Sequence, residues 1–213
     1  MLTIQQRLPP AITIPFLEVS SHLSLPPTAT YSALNLWNFT VLPNMDLSNI
    51  DNLSILHTFT GTDDEAWFYL ISVAIEARGA SLIRTMLEAI DAVRANDSEV
   101  IVQSLLTFSA SVQEISAILN RMYERCDPES FYHKIRPFLA GSKNMSVAGL
   151  PNGVFYDEGN GEGKWRQYSG GSNAQSSLIQ FFDIVLGVEH KATRNAKVMA
   201  GDMEAKYGFI SVR

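Results

Sequence analysis

The sequence predicts an all-α protein, a helical bundle with one long glycine-rich loop between 141 and 171. Three observations predict it. Apolar residues recur at helical steps through two long stretches, 63–95 and 98–125. Capping residues stand where the first of these stretches and two later ones begin. The composition, 213 residues with 46% hydrophobic and 18% charged, is that of an ordinary folded chain, which buries roughly 70% of its extended surface without needing a disulfide or metal clip. The whole of 1–213 reads as one all-helical domain.

Proline breaks up the first 52 residues and leaves room for short helices only. Pro15 can open one that runs to His22, with Phe16, Val19 and Leu23 on one face. Thr28 can open a second to Asn38, presenting Tyr31 and Leu34. At Thr62 the character changes. Thr62 and Glu65 have the spacing of a capping box, and Asp63 and Asp64 put acid in the first turn. The pattern predicts a helix from Asp63 to Ala95, with Gly79 as a point where it could bend.

Asn96 and Asp97 interrupt the pattern. Ile101, Leu105, Phe108, Val112, Ile115, Leu119 and Met122 then recur at alternating steps of four and three, the stripe of a helix buried in a bundle. Asp127 and Pro128 open a short helix through FYHKIR, in which Phe131 shares a face with Ile135, and Tyr132 shares one with Arg136. Residues 141–171 hold eight of the thirteen glycines and show no helical period. Loops of that length are commonly functional. Ser172 and Gln175 form a second capping box, and Leu178, Phe181, Phe182 and Val185 give the next helix its apolar face up to Gly187.

The net charge of −6 argues against nucleic acid, which needs clustered Lys and Arg. No membrane segment is expected: the longest apolar run, Ala66 to Ile75, stops at Glu76, short of the roughly 20 residues that span a bilayer. Prolines interrupt the N-terminus where a signal peptide would be apolar. The lone cysteine, Cys126, fits a reducing compartment, and the chain reads as cytoplasmic.

His22, His57, His133 and His190 show no i, i+4 pairing, so no histidine pair of zinc type is expected. Gly170 to Ala174, GGSNA, approaches a nucleophile elbow but has no strand before it, which leaves a serine hydrolase using Ser172 as the weakest reading. The same residues have two further readings. Gly171, Ser172 and the following helix N-terminus could attract a carboxylate or phosphate, or they could simply end a loop and cap a helix. Arg136 stands among Phe131, Tyr132, Ile135 and Phe138; its partner is either a structural carboxylate or the carboxylate of a ligand.

The segments SFYHKIRPFLAG (130–141) and YSGGSNAQSSLIQFFDIVLGVEH (168–190) resemble the indoleamine 2,3-dioxygenases, haem enzymes of tryptophan catabolism in the kynurenine pathway. LPPTATYSALNLWNF (25–39) and DEAWFYLISVAIEARGAS (64–81) fall in the matching order. The resemblance implies a helical large domain holding haem b. It implies that Arg136 pairs with the carboxylate of L-tryptophan, that Phe131 packs on the indole, and that Tyr31, Phe68 and Ser72 line the indole pocket. Gly171 and Ser172 would approach the haem edge and the amino-acid end of the substrate. Dioxygen would add across the indole C2–C3 bond to give N-formylkynurenine.

The resemblance also implies a truncated member, covering the distal side of the haem pocket, without the smaller N-terminal domain and without the C-terminal part that carries the proximal histidine. No metal ligand is assigned in these residues, and activity is expected to be impaired. A different reading is a non-catalytic helical module that pairs with a full-length relative or self-associates through uncovered apolar faces of helices 63–95 and 98–125.

Overall fold

Thr62 and Asp97 open the two longest elements, as their side chains suggest. The Thr62 hydroxyl accepts from the Glu65 N–H and the Asp97 carboxylate from the Val100 N–H, which satisfies donors a helix start leaves unpaired. In the computed structural model, which describes residues 5–189, these helices are α2 (Asp63–Ala95) and α3 (Ser98–Asn120) within a mostly helical chain. The remaining helices are α1 (Pro10–His22), α4 (Met122–Arg125), α5 (Pro128–Ser130), α6 (Arg136–Leu139) and α7 (Ser177–Leu186). The strands are β1 (Arg7–Leu8), β2 (Phe39–Val41), β3 (Leu53–Ile55), β4 (Val154–Gly159) and β5 (Glu162–Arg166). The described residues form two compact units.

The larger unit is Ser32–Pro137 with Ser176–Val188. Its centre is α2, a single helix without a break at Gly79. A Cβ at Gly79 would lie 2.3 Å from Leu178 Cδ2, so the glycine is where α7 passes close to α2 rather than a hinge. Glu76, one turn earlier, accepts a short hydrogen bond from Ser176. Ser176, 2% exposed, is the N-cap of α7 and accepts from the Ile179 N–H at 3.2 Å. By length and composition alone α2 could cross a membrane, yet Tyr69, Ile71, Ala74 and Leu82 are buried inside this unit.

The buried face of α3 is Ser104, Phe108, Ser111 and Ile115. Phe108 and Ile115 belong to the expected stripe, but Leu105 and Leu119 are 54% and 52% exposed. The small serines flanking Phe108 let α3 lie close to α2, which turns that face, and not the strictest apolar row, toward the core. Arg78 of α2 pairs with Glu114 of α3. Two apolar clusters result, one around Trp67, Leu70 and Ile71, the other around Leu82, Phe108 and Leu178. The first is floored by the antiparallel β2–β3 pair, Thr40 opposite Ser54.

The smaller unit comprises the described residues up to Tyr31 together with Phe138–Gln175. Here the glycine-rich stretch expected to be irregular folds as an antiparallel hairpin, β4 against β5 with Phe155 opposite Trp165. Its two-residue turn is Asn160 (φ 52°) and Gly161 (φ 83°), the left-handed pair that a tight hairpin turn requires. β1 adds in parallel to β4, Arg7 beside Phe155, giving the order β1-β4-β5. Asp157, 5% exposed, accepts from Arg7 Nε at 2.9 Å and ties the edge strand down.

α1 starts at Pro10, five residues before the expected start. Proline at the first helical position loses no hydrogen bond, because that N–H has no helical partner. Thr13, fully buried, donates to the Leu8 carbonyl at 3.1 Å. The helix ends with Ser24 at φ 55° and the Leu25 N–H on the Ser20 carbonyl at 2.9 Å, a left-handed cap without glycine. In place of the expected helix over 28–38 there is a π-helical turn, Ser32–Leu36.

Candidate functional site

The seven residues singled out in the sequence fall into two groups, one in each unit. In the larger unit, Phe68 and Ser72 lie one turn apart on α2, and the Ser72 hydroxyl points back to the Phe68 carbonyl at 3.5 Å. Phe131 begins a π-helical turn, Phe131–Ile135, opened by Asp127 and Pro128 as expected; the Asp127 carboxylate accepts from the Ser130 N–H. π-Helical turns cost helix geometry and recur at functional sites. This one brings the Phe131 ring to Phe68, centroids 4.7 Å apart and planes tilted by 43°. Both rings are half-buried, while Ser72 is 6% exposed and Ile135, on the Phe131 face, is fully buried.

Arg136 follows directly. Its guanidinium sits 5.1 Å from the centroid of the Tyr132 ring, the residue one turn earlier, so the two share a face as their spacing implies. A guanidinium over an aromatic face is held by the ring quadrupole, and its planar fork is the geometry that matches a carboxylate.

In the smaller unit, Tyr31 is 5% exposed and its backbone N–H donates to Gln175 Oε1 at 2.9 Å. Gln175 closes a short 3-10 turn, Asn173–Gln175, and its own N–H bonds the Ser172 carbonyl at 2.9 Å. Tyr31 and Ser172 are thus joined through one glutamine. The second capping box is not formed: the Ser172 hydroxyl accepts from the Ala174 N–H at 3.2 Å, and the next α-helix is capped by Ser176 instead. Gln175 is drawn away by Tyr31, which removes the reciprocal half of the box. The anion-attracting helix terminus expected at Ser172 is therefore displaced by four residues, to Ser176.

A nucleophile elbow is not formed either. β5 ends at Arg166 and three residues separate it from Gly170. Gly170 has a packing reason of its own: a Cβ there would lie 1.8 Å from the Leu139 carbonyl, and one on Gly141 would lie 2.0 Å from the Tyr168 carbonyl. Two glycines let these backbones touch.

By its spacing Glu65 is a capping partner of Thr62. It is fully buried and does not reach back to the Thr62 N–H. Its carboxylate accepts from the Phe59 N–H (2.9 Å), the Thr60 N–H (2.6 Å), the Thr60 hydroxyl (2.6 Å) and the Tyr69 hydroxyl (2.9 Å). Burial pushes its pKa up, but these bonds outweigh burial and hold it below the ordinary value. Tyr69, 1% exposed, is pushed far upward by burial and by the adjacent Glu65. The signal that could have found this pair is the i, i+4 spacing of Glu65 and Tyr69 on an otherwise apolar face.

Among the described residues no group of three or more His, Cys, Asp or Glu side chains is placed to hold a metal ion. His22, His57 and His133 are all exposed, and the His133 ring lies edge-on to Tyr132 at 5.0 Å. His190 lies outside the described residues. For a haem the fit is therefore one-sided. The Phe68–Phe131 wall suits an apolar, aromatic face, whereas the described histidines offer no buried nitrogen as an axial ligand.

The class this fold defines is a mostly helical domain with a small three-stranded sheet. The chain belongs to the indoleamine 2,3-dioxygenase family, whose sequence profile it matches over residues 2–211. It is similar to an indoleamine 2,3-dioxygenase of Aspergillus nanangensis, 45% identical over 210 residues, which is 94% of this chain and 51% of that protein. An indoleamine 2,3-dioxygenase of Saccharomyces cerevisiae is 44% identical over 94% of this chain and 45% of its own length. A 6-hydroxytryptophan 2,3-dioxygenase of Fusarium equiseti is 42% identical over 87% of this chain and 46% of its own. The chain spans about half the length of the curated relatives it matches.

Proposed function

We propose that the chain is part of a haem-dependent dioxygenase that opens the indole C2–C3 bond of L-tryptophan to give N-formylkynurenine. The observation that carries this reading is the Phe68–Phe131 ring pair, 4.7 Å between centroids, with the Arg136 guanidinium over the Tyr132 ring one turn beyond Phe131. An indole needs an apolar face and an amino acid needs a cation for its carboxylate; family membership supplies the dioxygenase chemistry as the context. The relatives support the substrate class, since one is named for tryptophan carrying a 6-hydroxyl group.

In this reading Phe131 and Phe68 hold the indole and exclude water from it, with Ser72 beside them on α2. Arg136 orients the amino-acid end by a bidentate pair with its carboxylate. Haem b, when bound, would supply the activation of dioxygen. Proton transfer by a side-chain base is not required of these residues. The compartment is cytoplasmic in this reading, consistent with one cysteine, held as a free buried thiol.

The test is a haem titration of the purified chain followed by absorbance, with reduced protein, L-tryptophan and oxygen then assayed for N-formylkynurenine. Saturating binding with product supports the reading. Saturating binding without product, or non-saturating binding, rejects activity for this chain by itself.

A second reading is favoured by one observation: Leu87 and Val93 on α2 and Leu105 and Leu106 on α3 are each more than half exposed. Apolar rows of that kind suit a non-catalytic helical module that pairs with a second copy or a full-length relative. Sedimentation across a hundredfold concentration range tests pairing with a second copy, which a constant monomer mass would reject; sedimentation of a mixture with a full-length relative tests the other, which an unchanged mass of each would reject.

A further inference from the structure

The fully buried Glu65 carboxylate is not used by the proposed reaction, and its four partners fall into two sets. The Phe59 and Thr60 donors belong to the segment leading into α2, and the Tyr69 hydroxyl belongs to α2 itself, one turn after Glu65. From Tyr69 the contacts run on toward the candidate site. Its ring is 5.6 Å from that of Phe68, tilted by 59°, and the Phe68 ring is the one that meets Phe131. A carboxylate that binds both the incoming segment and a tyrosine on the helix holds that tyrosine in one rotamer. A held Tyr69 leaves Phe68 one side on which to lie.

We propose that Glu65, acting through the Tyr69 hydroxyl, is a positioning residue that sets Phe68 against Phe131 and so shapes the indole wall. The inference rests on the reading of that ring pair as the wall for an indole. Glu65 touches no substrate in this scheme. Its effect is on geometry: without the hydroxyl bond, Tyr69 and Phe68 gain rotamers, and part of the binding free energy goes to re-ordering them.

The experiment uses the full chain with phenylalanine rings selectively labelled, comparing wild type with Tyr69→Phe, which keeps the ring and removes the bond. Ile115→Val serves as a control in the other apolar cluster. The first readout is the ring-to-ring NMR cross-peak between Phe68 and Phe131, and the second is the affinity for indole measured by calorimetry. Tyr69→Phe should weaken the cross-peak at least about twofold and lower indole affinity by about three- to tenfold. Ile115→Val should leave both unchanged while lowering the melting temperature, which separates positioning from general destabilisation.

An unchanged cross-peak in Tyr69→Phe overturns the proposal, whether or not indole binds. A lost cross-peak with unchanged indole affinity also overturns it. If wild type shows the cross-peak but binds no indole, and Tyr69→Phe loses the cross-peak, the substrate reading fails while the positioning of Phe68 stands.

Discussion

Gly79 of α2 packs against Leu178 of α7 so closely that a single added methyl group would overlap the leucine side chain at 2.3 to 2.9 Å. Leu178 is 2% exposed, so it must move within the packed interior. Gly79→Ala gains about 1 kcal/mol of helix propensity but meets an overpacking cost of about 1–3 kcal/mol, so the variant should be less stable. Urea denaturation of Gly79→Ala, Leu178→Ala and the double variant checks this. The double variant should be more stable than the two single losses add up to; simple additivity would show that the contact is not the cause.

At the start of α7 the same helices are joined by Ser176, which caps α7 and donates to Glu76. Ser176→Ala should cost about 1–2 kcal/mol from the lost cap. Glu76→Gln should cost less, because the amide oxygen still accepts. Equal losses in thermal denaturation would contradict that ranking.

Glu65 makes stability depend on pH. Its folded pKa is depressed below 4.5, so its contribution is complete above that value and disappears as pH falls through the folded pKa. Glu65→Gln replaces one acceptor oxygen with a donor amide facing N–H and O–H donors, at a cost of about 1–3 kcal/mol at neutral pH. The gap in urea midpoint between wild type and Glu65→Gln should be widest at pH 7 and shrink at pH 3. A gap that is the same at both would remove the ionised carboxylate from the account.

Arg136 should discriminate between ligands. Arg136→Ala should weaken L-tryptophan by about tenfold or more, the worth of a charge-assisted pair, and leave indole nearly unchanged. Calorimetry with both ligands measures it. Equal losses would mean that the guanidinium supports the fold at Tyr132 and does not read a carboxylate.

Cys126 should be inert. It is 6% exposed, and burial, then the nearby Asp64 and Asp127, push its thiol up to about 11. Alkylation at pH 8 should be slow in the native chain and fast in denaturant, since the thiolate is the reactive form. Rapid native labelling, followed by mass spectrometry, would contradict the burial.

What the sequence determined by itself were the features whose cause is local. Thr62 and Asp127 each announce a helix because a short side-chain acceptor reaches an N–H three residues on, and both do so in the structure, as does Asp97, which the sequence marked only as an interruption. Gly187 likewise ends α7 in the left-handed region (φ 63°). The Phe131–Ile135 and Tyr132–Arg136 faces follow from helical spacing alone. The β4–β5 hairpin was also legible, in Asn160 and Gly161 between two runs of five or six residues, but the density of glycines masked it.

Tertiary structure alone decided which competing partner wins. Gln175 has the spacing to cap Ser172, yet its side chain serves Tyr31, 144 positions away. Glu65 has the spacing to close a capping box, yet it is buried under Phe59, Thr60 and Tyr69. Gly79 reads as a weak point until Leu178 fills its surface. The reason is the same in each case: a hydrogen bond or contact that excludes water is worth more than the same one exposed, and which groups are excluded is known only once the helices have packed.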